Sequence, residues 1–344
     1  MRNLRKKRVF GILLVLILIS LAIFVPKTEI SFLGTTEPAV ESPAEIIPKE
    51  TTDSGIEVYF CPREDCEQEL FKLLDSANVS IHCATFELNL PRVVSLLDNK
   101  SEDIDVKIVV DDAYYDGLEN LSWVRHDGKQ GLMHNKFCIV DGKEIYTGSF
   151  NPTKNCAYKN NNNMLVIESR YLSQNYEEEF EELWAGKFGK GDRVAFPKIV
   201  YNNMTIQNYF CPEDNCRERV RAEIMRANKS IYFLAFSFTD DYIGQDLVLR
   251  YNEGIDVRGV FEKTKISDYS EYHLLEYQGI DVRLDKNKYN MHNKVFIIDN
   301  RTVITGSFNP SGNANYDNDE NILIIEDEGI AKEYLEEFWR VWNQ

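Results

Sequence analysis

A nineteen-residue pattern occurs twice in this chain, and no other feature limits its possible folds as much. Residues 133–151 read MHNKFCIVDGKEIYTGSFN, and residues 291–309 read MHNKVFIIDNRTVITGSFN. In each copy His and Lys stand two apart, an Asp follows five after the Lys, and Gly-Ser-Phe-Asn closes the run. The repeat reaches further. Tyr59-Phe60-Cys61-Pro62 returns as Tyr209-Phe210-Cys211-Pro212, and a second cysteine follows each, Cys66 and Cys216. Apolar runs at 79–86, 106–110, 136–140 and 164–167 have counterparts at 230–238, 257–261, 294–298 and 322–325. Each half closes on an acidic amphipathic stretch, 176–184 or 334–342. A unit of roughly 150 residues is too long for a solenoid repeat. Strands alternating with helices instead predict two similar α/β-layer domains, each a central mixed sheet flanked by helices. They would pack as a pseudo-dimer with one active site at the interface. The expected bounds are 55–190 and 200–344, with the boundary in the Gly-, Lys- and Pro-containing stretch 186–198.

The chemistry follows from the residue types. Side chains two apart on a strand share a face. His134 with Lys136, His292 with Lys294, Ser149 with Asn151 and Ser307 with Asn309 would therefore each point together into a shared cleft. Two lysines and two asparagines can hold the non-bridging oxygens of a phosphate and stabilise charge that develops on it. Two histidines supply the rest: one attacks phosphorus to form a phosphohistidine, and the other protonates the leaving oxygen and then activates water. The pattern lacks the carboxylate cluster that magnesium would need, so no metal and no cofactor is expected. Asp141 and Asp299 fall at turns, on the side away from the histidines, and are read as structural anchors of their loops.

The pattern H-x-K-x4-D-x6-G-S-x-N, with Gly148 and Gly306 at its glycine, resembles that of the phospholipase D superfamily. The resemblance covers roughly residues 56–344. It implies a metal-independent phosphodiesterase built from paired α/β halves. It is nearest to the small endonuclease and cardiolipin-hydrolase branch, but with both halves in one chain, so that no partner subunit is needed to complete the site. Thirteen residues after the motif serine stand Asn162 in the first half and Glu320 in the second. In this family that position can contact the ring of its own histidine. A carboxylate favours a protonated imidazole, so His292, oriented by Glu320, is expected to be the general acid/base. His134, near neutral Asn162, is expected to be the nucleophile.

The N-terminus stands apart. Residues 1–8 carry Arg2, Arg5, Lys6, Lys7 and Arg8, and 9–25 are all apolar or small. That length is at the short end of what spans a bilayer. The basic flank would stay cytoplasmic and leave the body outside. A membrane-bound, signal-anchored transmembrane chain is the expectation, with secretion after signal cleavage as the alternative; Pro26 and Lys27 follow where a small-residue cleavage site would lie. Residues 34–54 are rich in Pro, Glu, Thr and Ser, and 26–54 reads as a flexible linker.

Cysteine spacing adds to this. Cys61/Cys66 and Cys211/Cys216 repeat one spacing and are disulfide candidates in an oxidising compartment, with a shared zinc site as the rival reading. Cys83 and Cys138 lie in apolar runs and read as buried thiols; Cys156 has no assigned role.

The substrate is a nucleic acid or a phospholipid. The net charge is −17. Residues 1–30 hold six basic side chains and one acidic one, so −22 falls on the remainder, which does not draw polyanions from a distance. The expectation is a hydrolase acting as a nuclease on single- or double-stranded nucleic acid. A phospholipase D-type hydrolase or transferase on phospholipids is the alternative, and a non-catalytic surface scaffold the lesser one.

Overall fold

The computed structural model describes residues 47–128 and 131–344. The repeat in sequence is a repeat in structure. In the first half, β2 (Ile56–Cys61), β3 (Ser80–Thr85), β4 (Asp105–Val110), β5 (Val124–His126), β6 (Lys136–Val140), β7 (Glu144–Gly148) and β8 (Asn162–Glu168) form a seven-stranded sheet in the order β2-β8-β7-β6-β3-β4-β5. In the second half, β10 (Met204–Cys211), β11 (Ser230–Ala235), β12 (Asp256–Phe261), β13 (Asp281–Leu284), β14 (Lys294–Ile298), β15 (Thr302–Gly306) and β16 (Glu320–Glu326) repeat that order. They are extended at one edge by β9 (Lys198–Tyr201) and β1 (Lys49–Glu50). Both sheets are mixed. β3–β4 and β11–β12 run parallel, while β3–β6 and β11–β14 run antiparallel.

Two long helices lie between the sheets. Arg170–Trp184 buries Leu172, Tyr176, Phe180 and Leu183, and Glu328–Trp342 buries Ile330, Tyr334, Phe338 and Val341. Both sets follow helical spacing and make one apolar stripe. Each helix starts on a side-chain cap: Ser169 accepts from Leu172 N and Asp327 from Ile330 N. The stripes meet in one core shared by both halves, which also holds Phe60, Phe137, Phe210 and Val295. Tyr334 packs edge-on against Phe60, and Tyr176 against Phe210, so each helix reaches into the opposite half. Truncating one of these rings to alanine costs about 3–5 kcal/mol.

The structure corrects three expectations. The last residues of the expected linker, 26–54, are built into the fold. Lys49 and Glu50 pair parallel with Val200 and Tyr201, and Thr52 N donates to Asn202 Oδ1 at 3.0 Å. Pairing needs only a free sheet edge, which composition does not register. Cys83 and Cys138, expected to be thiols, form a disulfide, because β3 and β6 place them directly opposite each other. Cys61–Cys66 and Cys211–Cys216 are also disulfides, and buried Cys156 is free. The membrane, transmembrane and signal-anchor reading is withdrawn: among the described residues no helix is long and apolar enough to cross a membrane. Residues 9–25, on which it rested, lie outside them.

Candidate active site

The two HxK segments face each other across the interface, each pinned by the other half. His134 N donates to Asp319 O (3.0 Å) and Asp319 N to Leu132 O (2.9 Å). His292 N donates to Asn161 O (2.8 Å) and Asn161 N to Asn290 O (2.9 Å). These short parallel bridges set the residue after each, Glu320 and Asn162, against the histidine of the opposite half. Glu320 Oε2 lies 2.7 Å from His134 Nδ1, and Asn162 Oδ1 lies 2.8 Å from His292 Nδ1. The pairing is thus crossed. Glu320 orients His134, not His292, and Asn162 orients His292, not His134. The family resemblance suggested the reverse, and the interface bridges decide it.

The partners fix the tautomers. Asn162 Nδ2 donates to the carbonyls of Cys156 and Asn160, both at 3.1 Å, so its oxygen faces His292 and accepts from Nδ1–H. The carbonyl of Ser149 also faces that nitrogen, at 3.1 Å. An ionised Glu320 accepts from His134 Nδ1–H in the same way. Both histidines therefore turn Nε2 outward. Burial, reinforced by Lys136 and Lys294, pushes both imidazoles well below their ordinary value. Burial also lowers Lys136 to about 8 and Lys294 well below its usual range. Each lysine donates to the carbonyl of its own histidine, Lys136 Nζ to His134 O at 2.5 Å and Lys294 Nζ to His292 O at 2.7 Å. An anion arriving between the two lysines would favour their charged forms.

The motif serines do not present free hydroxyls to the cleft. Ser149 Oγ accepts from Asn163 N (2.9 Å), while Ser307 Oγ accepts from Asn321 N (2.9 Å) and donates to Glu320 Oε2 (2.6 Å). Asn151 and Asn309 each keep a buried side-chain oxygen without a partner, and both line the cavity holding the two histidines. Gly148 and Gly306 have φ of 134° and 146°, and a Cβ there would strike the carbonyls of Asn163 and Asn321. Asp141 and Asp299 lie at the far ends of β6 and β14. Their carboxylates gather the backbone amides of residues 78–80 and 228–230, tying down the starts of β3 and β11.

Other residues of the site carried no weight in the sequence reading. Phe86 packs edge-on against His134 (centroids 4.9 Å), and Phe236 against His292 (4.5 Å). Their rings also lie near Lys136 and Lys294. Asp111 Oδ2 accepts from Met133 N (3.2 Å), and Glu262 Oε2 from Met291 N (2.7 Å). A repeated Phe after β3 and β11, and a repeated acid after β4 and β12, were the available signals. Two adjoining cavities open at His134, one of about 450 Å³ that also reaches His292 and one of about 700 Å³; both are lined by Leu132, Ser237 and Asn309. Three clusters of carboxylates or histidine among the described residues could hold a cation, and none contains His134 or His292.

Two imidazoles whose Nε2 atoms face one cavity, beside two buried lysines, define a phosphodiester-cleaving centre. Residues 70–184 and 220–342 each match the family described as cardiolipin synthase, PLD-like domain, and the chain belongs to that family, within the phospholipase D superfamily. Its architecture is that of a phosphodiester hydrolase. The chain is 36% identical over 147 residues to a phospholipase D of Rickettsia felis, covering 41% of this chain and 74% of that protein. It is 34% identical over 132 residues to the human mitochondrial cardiolipin hydrolase, covering 38% of this chain and 52% of that protein. The solved phosphatidylserine synthase of Haemophilus influenzae shares the fold, with a TM-score of 0.63 and 13% identity over 83% of this chain and 86% of that one.

Proposed function

We propose that this chain cleaves the headgroup phosphodiester of a phospholipid through a phosphohistidine on His134. The observation that carries the chemistry is the crossed pair of histidines around one cavity. His134 Nε2 attacks phosphorus, and the bond from phosphorus to the headgroup oxygen breaks. The negative charge of the bound phosphodiester between the two lysines favours protonation of His292, whose Nε2–H gives its proton to that oxygen; His292 then takes one from the water that releases His134. Lys136, Lys294, Asn151 and Asn309 hold the non-bridging oxygens.

The reason for this division differs from the one the sequence suggested. Positive charge grows on the attacking ring as the phosphorus–nitrogen bond forms, and the Glu320 carboxylate beside His134 offsets it. His292 faces only a neutral amide and a carbonyl, so it surrenders its proton more readily.

One observation supports lipid over nucleic acid as the substrate. The relatives named above are a phospholipase D and a cardiolipin hydrolase. The three disulfides fit an extracytosolic location. A nuclease is the second reading, favoured by Phe86, Tyr114, Phe236 and Lys265 around one cavity, a combination that can stack and hold single-stranded bases.

The full chain is assayed in EDTA on phospholipid micelles and on labelled single-stranded DNA, beside His134→Asn. Headgroup release that disappears in the variant is the expected result. Phosphate trapped on His292 rather than His134 overturns the role assignment. Cleavage of DNA without any phospholipid turnover overturns the substrate.

A further inference from the structure

The body is strongly acidic, yet one rim of the cleft is basic. Arg92, Lys154 and Lys159 line a surface cavity of about 460 Å³ together with Tyr158. Lys159 Nζ then lies 5.4 Å from the ring of Tyr289, and Lys288 Nζ 5.7 Å from the same ring. Asn287 Nδ2 donates to Lys159 O (3.2 Å) and to Asn161 Oδ1 (2.6 Å), which binds the 286–290 loop to the segment before β8. Lys265 continues the line into the cavity that holds His134 and His292. All these cations are exposed.

These cations have no counter-charge of their own among the described residues. Most cations on the second-half helices are paired, as in Arg221 with Asp246, Arg226 with Glu223 and Arg340 with Glu337. Among the described residues, Arg92, Lys154, Lys159, Lys265 and Lys288 form no ion pair within 4.0 Å. Glu67, the one carboxylate lining the Arg92 cavity, accepts from the Tyr158 hydroxyl instead. In a chain with this excess of acid, unpaired cations at one rim are a local field of opposite sign.

We infer that this strip is a docking surface for an anionic phospholipid surface, which it holds against the mouth of the catalytic cavity. The inference rests on the phospholipid reading above. Lysines near an anionic interface are each attracted to it, and an amphipathic tyrosine at its level adds contact. Acidic surface elsewhere would turn the rest of the body away, so the strip would orient the enzyme as well as bind it.

The test compares the full chain with Lys154→Glu/Lys159→Glu/Lys288→Glu, which leaves every residue of the proposed chemistry in place. Binding to phosphatidylglycerol-containing vesicles and to pure phosphatidylcholine vesicles is measured by flotation, and binding to labelled single-stranded DNA by filter retention. Hydrolysis of bis(p-nitrophenyl) phosphate is followed in parallel. The N-terminal residues are common to both proteins. The expected result is at least a tenfold loss of binding to the anionic vesicles only, unchanged hydrolysis of the small diester, and convergence of the two proteins in high salt. Equal binding by both proteins overturns the proposal, as does an equal loss on both kinds of vesicle. So does a loss confined to single-stranded DNA, which would assign the strip to nucleic acid. Because flotation needs no turnover, a wild type that binds anionic vesicles through the strip but hydrolyses no phospholipid would overturn the substrate reading alone.

Discussion

The two halves share a backbone plan and solve several packing problems differently. Beneath the first catalytic strand, Cys83 on β3 faces Cys138 on β6, and the neighbour of Cys83 across β4 is Ile108. The equivalent residues of the second half are Phe233, Phe296 and Gly259. Two rings there replace a covalent bridge, with centroids 5.7 Å apart, and Gly259 makes room, since a Cβ at that position would run into the Phe233 ring. One strand position away, His82 stacks on Phe180 and bonds Asp105, whereas Tyr232 stacks on Phe338 and bonds Asp256. The His, Lys, Ser, Asn and Gly of the motif do not vary between halves. What differs is support, and the strand framework accepts either version. Asn162 and Glu320 are the exception, a difference placed against the reacting rings themselves.

The most forceful way to break this comparison is to exchange that pair. Glu320→Gln should lower kcat about a hundredfold, and Asn162→Glu combined with Glu320→Asn should move the trapped phosphate from His134 towards His292. Trapping that stays on His134 would mean that the partners do not divide the roles. Glu320 also sets a pH limb. Burial, opposed by Lys136, raises its carboxyl from the usual 4.5 to about 7. Turnover that needs the carboxylate should climb as pH rises through about 7, a limb absent in the glutamine variant. The stability sign is opposite. Between 4.5 and about 7 the folded protein holds a proton there that the unfolded chain releases, so this group costs stability as pH rises. Denaturation at pH 8 should accordingly find Glu320→Gln no less stable than the wild type.

Next in size is the bridge. Reducing Cys83–Cys138, or replacing both cysteines with alanine, should cost about 2–4 kcal/mol of unfolding free energy. A loss of Tm in the double variant with no further loss on adding reductant would locate the effect there, once the two shorter bridges are also removed. The counterpart experiment is Gly259→Ala, which should cost about 1–3 kcal/mol through overpacking against Phe233. Pairing it with Phe233→Leu should recover part of the loss; strict additivity would show that the two positions do not share a packing constraint.

The smallest effect concerns His82. Burial works against its charge, but the hydrogen bonds it donates to Glu177 and Asp105 prevail and raise it above the ordinary value. Its contribution is therefore complete below the unfolded value near 6.5 and disappears as pH rises through the folded one. Replacing it with Tyr, the residue of the other half, should flatten the slope of stability against pH in that window, read by urea denaturation at intervals of pH.

Much of this was legible in the chain. The strands at 136–140 and 294–298 agree with the apolar runs to the residue, and the doubled motif foretold two like halves with a site between them. What escaped depended on neighbours remote in sequence. The crossed partners of His134 and His292 follow from interface bridges at Asp319 and Asn161, which no periodicity encodes. The third disulfide depends on the β3–β6 register, and spacing alone suggested only the repeated cysteine pairs. Phe86 and Phe236 were hidden in plain view, since an aromatic at a strand end reads as core until its ring is seen against an imidazole.

The crossed pairing has a consequence for descent. Were such a site made by two copies of a single half, every substitution would appear at both histidines at once, and a loss at one would be a loss at both. Joined in one chain, the halves mutate separately. Residue 162 can be an amide while residue 320 remains an acid, and each change is tried against an unaltered partner. Fusion thus turns a symmetric site, whose two members must serve either role, into one in which each member is free to specialise.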